Sequence, residues 1–221
     1  MALNYSSRDQ ATAALAEFLS DRGRPLLTTS QQRIVTAFLR LAGAHGFESV
    51  TMRTLSRELG LKAPSLYSSF PGGREEIVAE VLLGFRRRFA LGLLAAVQAT
   101  AGPEEYWAAL VRFHLVQHLR GLEADLGDLL VATDKVSRFF SEEVRQEISA
   151  WLRLREAMFV ASAQDMGYPL SRQTAHVILT LLDGAGRWAA WNGGEPELQV
   201  LVDRTVALSR SILEIGSGVP T

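Results

Sequence analysis

The chain has 221 residues, 48% of them apolar and 21% charged, and a net charge of -1; this is enough length and apolar content for one large or two small cores, and it excludes a disordered chain. Its apolar runs are short and broken by Arg, Gln or Gly, and no basic stretch leading into an apolar one opens it, so a cytoplasmic protein with no membrane partner is expected. The absence of cysteine excludes disulfide frameworks, thiol catalysis and zinc-finger modules.

Apolar spacing is helical almost everywhere, with no alternating strand pattern, so the expected fold class is all-α. Ser7-Arg8-Asp9-Gln10 has capping-box spacing and opens a helix through Leu15, Phe18 and Leu19 to about Arg22, closed by Gly23. This segment, 1–27, reads as an extra helix that packs on the next one, braces a head or adds contacts to a partner. Thr28 to Ser30 cap a helix to about His45.

The stretch from Thr51 to Phe70 predicts two short helices joined by a tight turn. Thr51 is a suitable N-cap, and Met52, Leu55 and Leu59 fall on one face while Arg53, Ser56, Arg57 and Glu58 take the wet side. Gly60 supplies the left-handed residue that ends the first helix, and Leu61 can plug the angle. Ala63 and Pro64 open the second helix, because proline loses no bond in a first turn. Leu66 and Phe70, four apart, face inward, which leaves Ser65, Tyr67, Ser68 and Ser69 on faces suited to a major groove.

Downstream, a long helix is expected from about Arg74 to Thr100, with Glu75 and Glu76 at its positive end. Others are expected from Gly102-Pro103 to Gly121, then to about Lys135, from Ser141 to Met166, from Ser171 to Trp191 ending in Asn192-Gly193-Gly194, and from Pro196 to Gly216, with a frayed tail from Gly216 to Thr221.

Ile34, Ala37, Leu41, Ala42, Gly46 and Phe47, then Thr51, Leu55, Leu59, Gly60, Leu66, Tyr67 and Phe70, then Arg74, Glu75 and Ile77 follow a recognisable order and spacing. In these residues, about a fifth of the chain, the sequence resembles the tetracycline-repressor (TetR) family of bacterial transcription regulators. Two departures stand out. Phe70-Pro71-Gly72-Gly73-Arg74 carries one residue more than the family's Phe-Pro-x-Lys, which displaces the basic residue, and Lys62 stands where the family has a capping serine.

The resemblance implies a helix-turn-helix head over 28–73 and a helical ligand-binding and dimerisation body over 74–221. It implies a ligand-responsive DNA-binding regulator, read here as a repressor released from a palindromic double-stranded operator by a hydrophobic small molecule. Arg53, Lys62, Arg74 and the Tyr67 hydroxyl would hold phosphates, with Thr51 at the helix start, while Ala63, Pro64, Ser65 and Ser68 would touch base edges. The charge distribution agrees in sign: residues 1–88 hold 12 Lys/Arg against 8 Asp/Glu, and the remainder 11 against 16. The competing reading is a helical small-molecule-binding or interaction module with a vestigial DNA head.

An effector cavity is implied among the middle helices, with Phe89, Leu93, Tyr106, Trp107, Leu110, Phe113, His114, Gln117, His118, Trp151 and Phe159 as candidates and Trp188 closing one side. Each aromatic taken singly reads as core. A homodimer is implied through the final two helices, where Leu181, Gly184, Ala185, Trp188, Ala189, Leu201, Thr205 and Leu208 mix small and large apolar groups; an intramolecular core would look the same. His114 and His118 have the i, i+4 spacing at which two imidazoles can share a metal, but no third ligand is fixed by spacing, although Asp125, Asp128 or His176 are available. They are read as pocket or packing histidines, with no metal and no cofactor. Ser, His and Asp never fall in a nucleophile-elbow context, and no Gly-rich loop precedes Lys-Ser/Thr, so no enzyme is expected.

Overall fold

The computed structural model describes residues 7–20, 26–120, 140–169 and 171–217. Among them lie ten α-helices and one 3-10 turn, and no strand: α1 (Ser7–Ser20), α2 (Thr29–His45), η1 (Phe47–Ser49), α3 (Met52–Leu59), α4 (Ala63–Ser69), α5 (Gly73–Gln98), α6 (Pro103–Arg120), α7 (Glu142–Asp165), α8 (Arg172–Asp183), α9 (Ala185–Trp188) and α10 (Glu195–Ser217). No helix among the described residues is long and apolar enough to cross a membrane. The helix expected to about Lys135, with Asp125 and Asp128, and the tail beyond Ser217 lie outside the described residues.

Contacts divide the chain into a unit of residues 22–87 with 128–148, the head, and a unit of residues 1–21, 88–127 and 149–221, the body. The division falls inside α5 and α7, unlike the expected boundary between residues 73 and 74, and it assigns α1 to the body.

In the head, α2 begins with a reciprocal cap: the Gln31 N–H donates to Thr28 Oγ1 at 3.2 Å, and the Thr28 N–H donates to Gln31 Oε1 at 3.0 Å. α2 packs on η1, α3 and α4. The buried residues Ile34, Ala37, Phe38, Val50, Leu55, Leu66, Phe70 and Ile77 supply the core, so the apolar positions at helical spacing are the ones removed from water.

In the body, α6 packs against α8, α9 and α10. Trp107 is fully buried, and its indole N–H donates to the Ser209 hydroxyl at 2.9 Å, so the largest core side chain leaves no polar atom stranded. α1 buries Leu15 and Leu19 in this unit, and its Phe18 ring lies 5.9 Å from that of Trp151. Its first turn is capped by a residue distant in sequence: the Ser7 and Arg8 N–H groups both donate to the Asp165 carboxylate at 3.0 Å.

The expected helix from Ser171 to Trp191 is instead two helices and an extended segment. Ser171 does cap it, accepting from the Thr174 N–H at 3.1 Å. Gly184 then closes α8, four residues of α9 follow, and Ala189 turns extended. The Trp188 indole N–H donates to the Leu181 carbonyl at 2.8 Å, satisfying an acceptor at the end of α8 that a continuing helix would have used. The weak helix propensity of Gly184-Ala185-Gly186 makes this the place where the periodic pattern gives way.

Candidate nucleic-acid interface and ligand core

α3 is fixed at both ends. The Thr54 N–H donates to Thr51 Oγ1 at 3.1 Å and the Thr51 N–H to Thr54 Oγ1 at 2.8 Å. Gly60 sits in the left-handed region at φ 63°, where its N–H and that of Leu61 return to the Arg57 and Ser56 carbonyls. α4 starts at Ala63-Pro64 with Lys62 in the cap position and no side-chain cap bond. Buried Leu66 and Phe70 anchor it, and Gln31 Nε2 donates to the Ser69 carbonyl at 3.0 Å, tying its end to α2. Lys62, Ala63, Pro64, Ser65, Tyr67 and Ser68 are all exposed, as are Thr51 and Arg53. The structure thus collects eight of the nine expected DNA-contacting residues on solvent-facing positions of one helix-turn-helix.

Arg74 is the ninth, and it is used differently. Its Nε donates to the Val50 carbonyl at 2.7 Å and its Nη2 to the Phe47 carbonyl at 3.0 Å, with the guanidinium 4.6 Å from the Phe47 ring centroid. Those bonds hold η1 and the entry to α3 rather than facing a phosphate. The extra residue before it is absorbed in a turn: the Gly73 N–H donates to the Phe70 carbonyl at 2.9 Å, Gly73 takes φ 67°, and the Gly72 N–H donates to the Glu76 carboxylate at 2.8 Å. This inward use of Arg74 was not legible from spacing.

The ligand candidates separate into two groups. Phe89, Trp151, His114 and Phe159 are buried and in mutual ring contact: Phe89 lies 5.0 Å from His114 and 5.8 Å from Trp151, and Phe159 lies 5.2 Å from His114. His118 joins them 6.1 Å from Phe89, and half-buried Phe113 stands 5.0 Å from Phe89. The others serve mainly elsewhere. Leu93 and Leu110 are core, Gln117 is half-buried, Trp107 meets the cluster edge-on at Phe159 (5.3 Å) while its N–H is committed to Ser209, and the Tyr106 hydroxyl, its pKa raised by burial, pairs with Thr12 of α1 at 2.9 Å. Trp188 is exposed at α9 and caps α8 instead of joining the ring cluster.

Two residues that sequence reading missed complete the polar part. Arg155 donates from Nη1 and Nη2 to the two Asp183 carboxylate oxygens at 2.9 and 2.8 Å, and His118 Nε2 lies 3.1 Å from Asp183 Oδ1. Burial pushes the Asp183 carboxyl up, but Arg155 and then His118 outweigh it and hold the group well below the usual carboxylate range. His114 Nδ1 is 2.8 Å from the Leu110 carbonyl, and burial, with Arg155 nearby, lowers its pKa to about 3. His114 Nε2, His118 Nδ1 and Arg155 Nε are buried without a hydrogen-bond partner. One nitrogen of each histidine is thus already turned to Leu110 or Asp183, and among the described residues no group of three metal-binding side chains forms.

Of the residues expected in a dimer interface, Ala185 and Thr205 are buried within the protomer, Trp188 and Leu208 are exposed, and Leu181, Gly184, Ala189 and Leu201 are intermediate. Val177, Val200 and Ile215 on α8 and α10 are further exposed apolar side chains.

A capped α3, a left-handed glycine turn and an exposed α4 define a helix-turn-helix DNA-binding head carried on an all-α chain. The sequence profile of the family described as bacterial regulatory proteins, tetR family, matches residues 34–81. The regulator BetI of Agrobacterium fabrum is 31% identical over 81 residues, 37% of this chain and 39% of that protein, and the regulator LmrA of Bacillus subtilis is 22% identical over 198 residues, 86% and 95% of the two chains. A crystal structure of a tetR-family regulatory protein from Rhodococcus RHA1 superposes with a TM-score of 0.65 at 17% identity, covering 84% of this chain and 97% of that one. Residues 34–81 thus carry the TetR-family DNA-head profile, and the whole chain resembles regulators of that family in fold. Its match to BetI is confined to 39% of that protein's length.

Proposed function

We propose that the protein is a cytoplasmic, homodimeric transcriptional repressor that releases a palindromic operator when an apolar small molecule enters its body. The exposed face of α4 carries this reading, since Lys62, Ser65, Tyr67 and Ser68 stand clear of water-excluding contacts while Leu66 and Phe70 hold the helix in place. In this reading Lys62, Arg53 and the Tyr67 hydroxyl meet phosphates, Thr51 orients the start of α3, and Ala63, Pro64, Ser65 and Ser68 meet base edges. Arg74 acts as a positioning residue through Phe47 and Val50.

The exposed Val177, Trp188, Val200 and Leu208 support pairing of two copies through α8 to α10, which would set two heads about 34 to 36 Å apart. Phe89, His114, His118, Trp151, Phe159 and Phe113 support an effector site in the body. α5 is one helix that contributes to both units, so a ligand that binds its body half differently in two states biases the head with a coupling of about 1 to 3 kcal/mol. A helical binding module whose head no longer meets DNA is the alternative.

Selection of bound duplexes from a random pool, followed by light scattering of wild type and Leu208→Glu, tests this. A two-fold symmetric site, a dimeric wild type and a monomeric variant that has lost the site are expected. Recovery of no sequence, or loss of salt-dependent retention on duplex DNA, would sink the reading.

A further inference from the structure

We infer that the polar end of the effector site is the lone pair on His114 Nε2, that it selects an uncharged, largely apolar molecule carrying a hydroxyl or amide N–H donor, and that Phe113 is the door. The inference rests on the ligand-responsive reading above and names the chemistry of that site.

His114 is completely buried. Its Nδ1 faces the Leu110 carbonyl at 2.8 Å, and a carbonyl can only accept, so Nδ1 carries the proton. With the ring held neutral, Nε2 is left as a bare acceptor, and among the described residues none donates to it. His118 has the complementary arrangement: Nε2 is turned to the Asp183 carboxylate, which also only accepts, and Nδ1 is buried without a partner. The unpartnered nitrogens of His114 and His118 thus stand on one face of α6, four residues apart, beside the same Phe89 ring.

Charge decides the ligand class. Arg155 and Asp183 are taken up with each other through two parallel bonds, so neither the guanidinium fork nor the carboxylate is free to pair with an ionic ligand. A carboxylate would set its oxygens against the His114 lone pair. An ammonium would meet the Arg155 guanidinium, which lies close enough to disfavour protonation of His114. A neutral donor suits both, and Phe89, Trp151 and Phe159 offer ring surfaces for an apolar body.

Access follows from Phe113. Outside, it lines a groove of about 480 Å³ with Ala109, Val116, Leu198 and Val202 of α6 and α10; inside, its ring stands edge-on to Phe89. The ring lies over Gly92 of α5, where a Cβ would come within 2.7 Å of Phe113 Cζ, so glycine is what lets the door close at this position. On this reading, rotation of that one side chain would open the groove toward Phe89 and His114, whose rings it contacts at 5.0 and 6.4 Å.

The test uses the full chain without DNA and four probes of one ring size: 2-naphthol, 2-methoxynaphthalene, 2-naphthoate and 2-naphthylmethylammonium. Calorimetry should rank naphthol about tenfold or more above its methyl ether, which keeps the shape and loses the donor, with both ions weaker still. Naphthol should move the His114 Nε2 resonance in histidine 15N spectra, and His114→Phe should erase the naphthol-to-ether ratio. Phe113→Ala should raise the association rate and keep that ratio. Equal affinity for alcohol and ether, preference for either ion, or binding of no probe by wild type overturns the site; an unchanged association rate in Phe113→Ala overturns the door. Failure of the regulatory reading looks different, because there naphthol binds by the donor rule while operator affinity stays unchanged.

Discussion

In the head, Lys62, Ser65, Tyr67 and Ser68 stand exposed around a buried Leu66, whereas in the body His114, His118 and Arg155 are buried or nearly so, each with a nitrogen that lacks a partner. Water satisfies the first set at no cost. The second set gives up hydration, about 1 to 3 kcal/mol for each unsatisfied group, and recovers it only through a partner. A surface that meets a hydrated polyanion can be assembled from side chains that contribute nothing to the fold. A site for a small molecule inside a core cannot, so perturbing it is expected to move stability as well as binding.

The sharpest way to break this contrast is pH, because the body buries a titratable group and the α4 face does not. His114 keeps a pKa of about 3 in the folded protein, through burial first and Arg155 second, against about 6.5 for an unfolded histidine. Between those values the unfolded chain binds more protons, so stability rises with pH and is lost as pH falls from about 6.5 to about 3, by an amount of order 4 kcal/mol. Urea unfolding between pH 4.5 and 7 should therefore steepen with acid in wild type and flatten in His114→Phe. Working above pH 4 keeps the Asp183 contribution, which is lost only as pH falls below the ordinary carboxylate range, out of the slope. An identical slope in the variant would mean that the ring is solvated in solution.

Next in size is the ion pair itself. Asp183→Ala leaves Arg155 with 12% of its side chain exposed and no carboxylate, and breaking such a pair costs about 3 kcal/mol. Removing both charges, Asp183→Ala with Arg155→Met, should restore a good part of that loss in chemical denaturation. If the double variant is no better than the single, the pair acts through geometry at His118 and not through charge.

The same contrast sets what could be read from the sequence. Thr51, Gly60 and Pro64 act on residues within a few positions of themselves, so the head's cap, turn and helix start are legible in a single chain. In the body, the Asp165 carboxylate reaches the Ser7 N–H across 158 positions, and Arg155 reaches Asp183 across 28; no periodicity encodes either. Hence α1 was expected beside the signature helices and belongs to the body. The break at Gly184 was missed for a related reason: the apolar pattern runs on, and the stop comes from Trp188 turning back onto the Leu181 carbonyl. Arg74 misled by type, since a basic residue at a head boundary looks like a phosphate contact until its carbonyl partners are visible.

That arginine gives a third, smaller expectation, and one that divides the head within itself. Arg74→Ala loses two bonds from a charged donor to Val50 and Phe47 and the contact with the Phe47 ring, about 2 kcal/mol of head stability. Operator binding should weaken through a loosened α3, with the slope of log affinity against log salt unchanged. A slope lower by about 1 would return Arg74 to the phosphate backbone.

Lys62 is the counterpart, and the smallest effect on stability. It is exposed in the cap position of α4 and makes no cap bond with its side chain, so Lys62→Ala should leave the denaturation midpoint within about 0.5 kcal/mol of wild type. Yet its ammonium stands beside the face that would enter the groove. Losing one phosphate contact should lower the salt slope by about 1 and weaken all operator variants alike, since a point charge on the backbone carries no sequence information. Lys62→Ser offers the finer measurement. A serine there can accept from the N–H groups of the first turn and stabilise α4 by about 1 kcal/mol, so the variant should melt higher while binding with the same reduced slope as the alanine. If the serine variant binds with the wild-type slope, Lys62 contributes through the helix start and not through its charge, and the head's outward side chains are less independent of its fold than the exposed α4 face suggests.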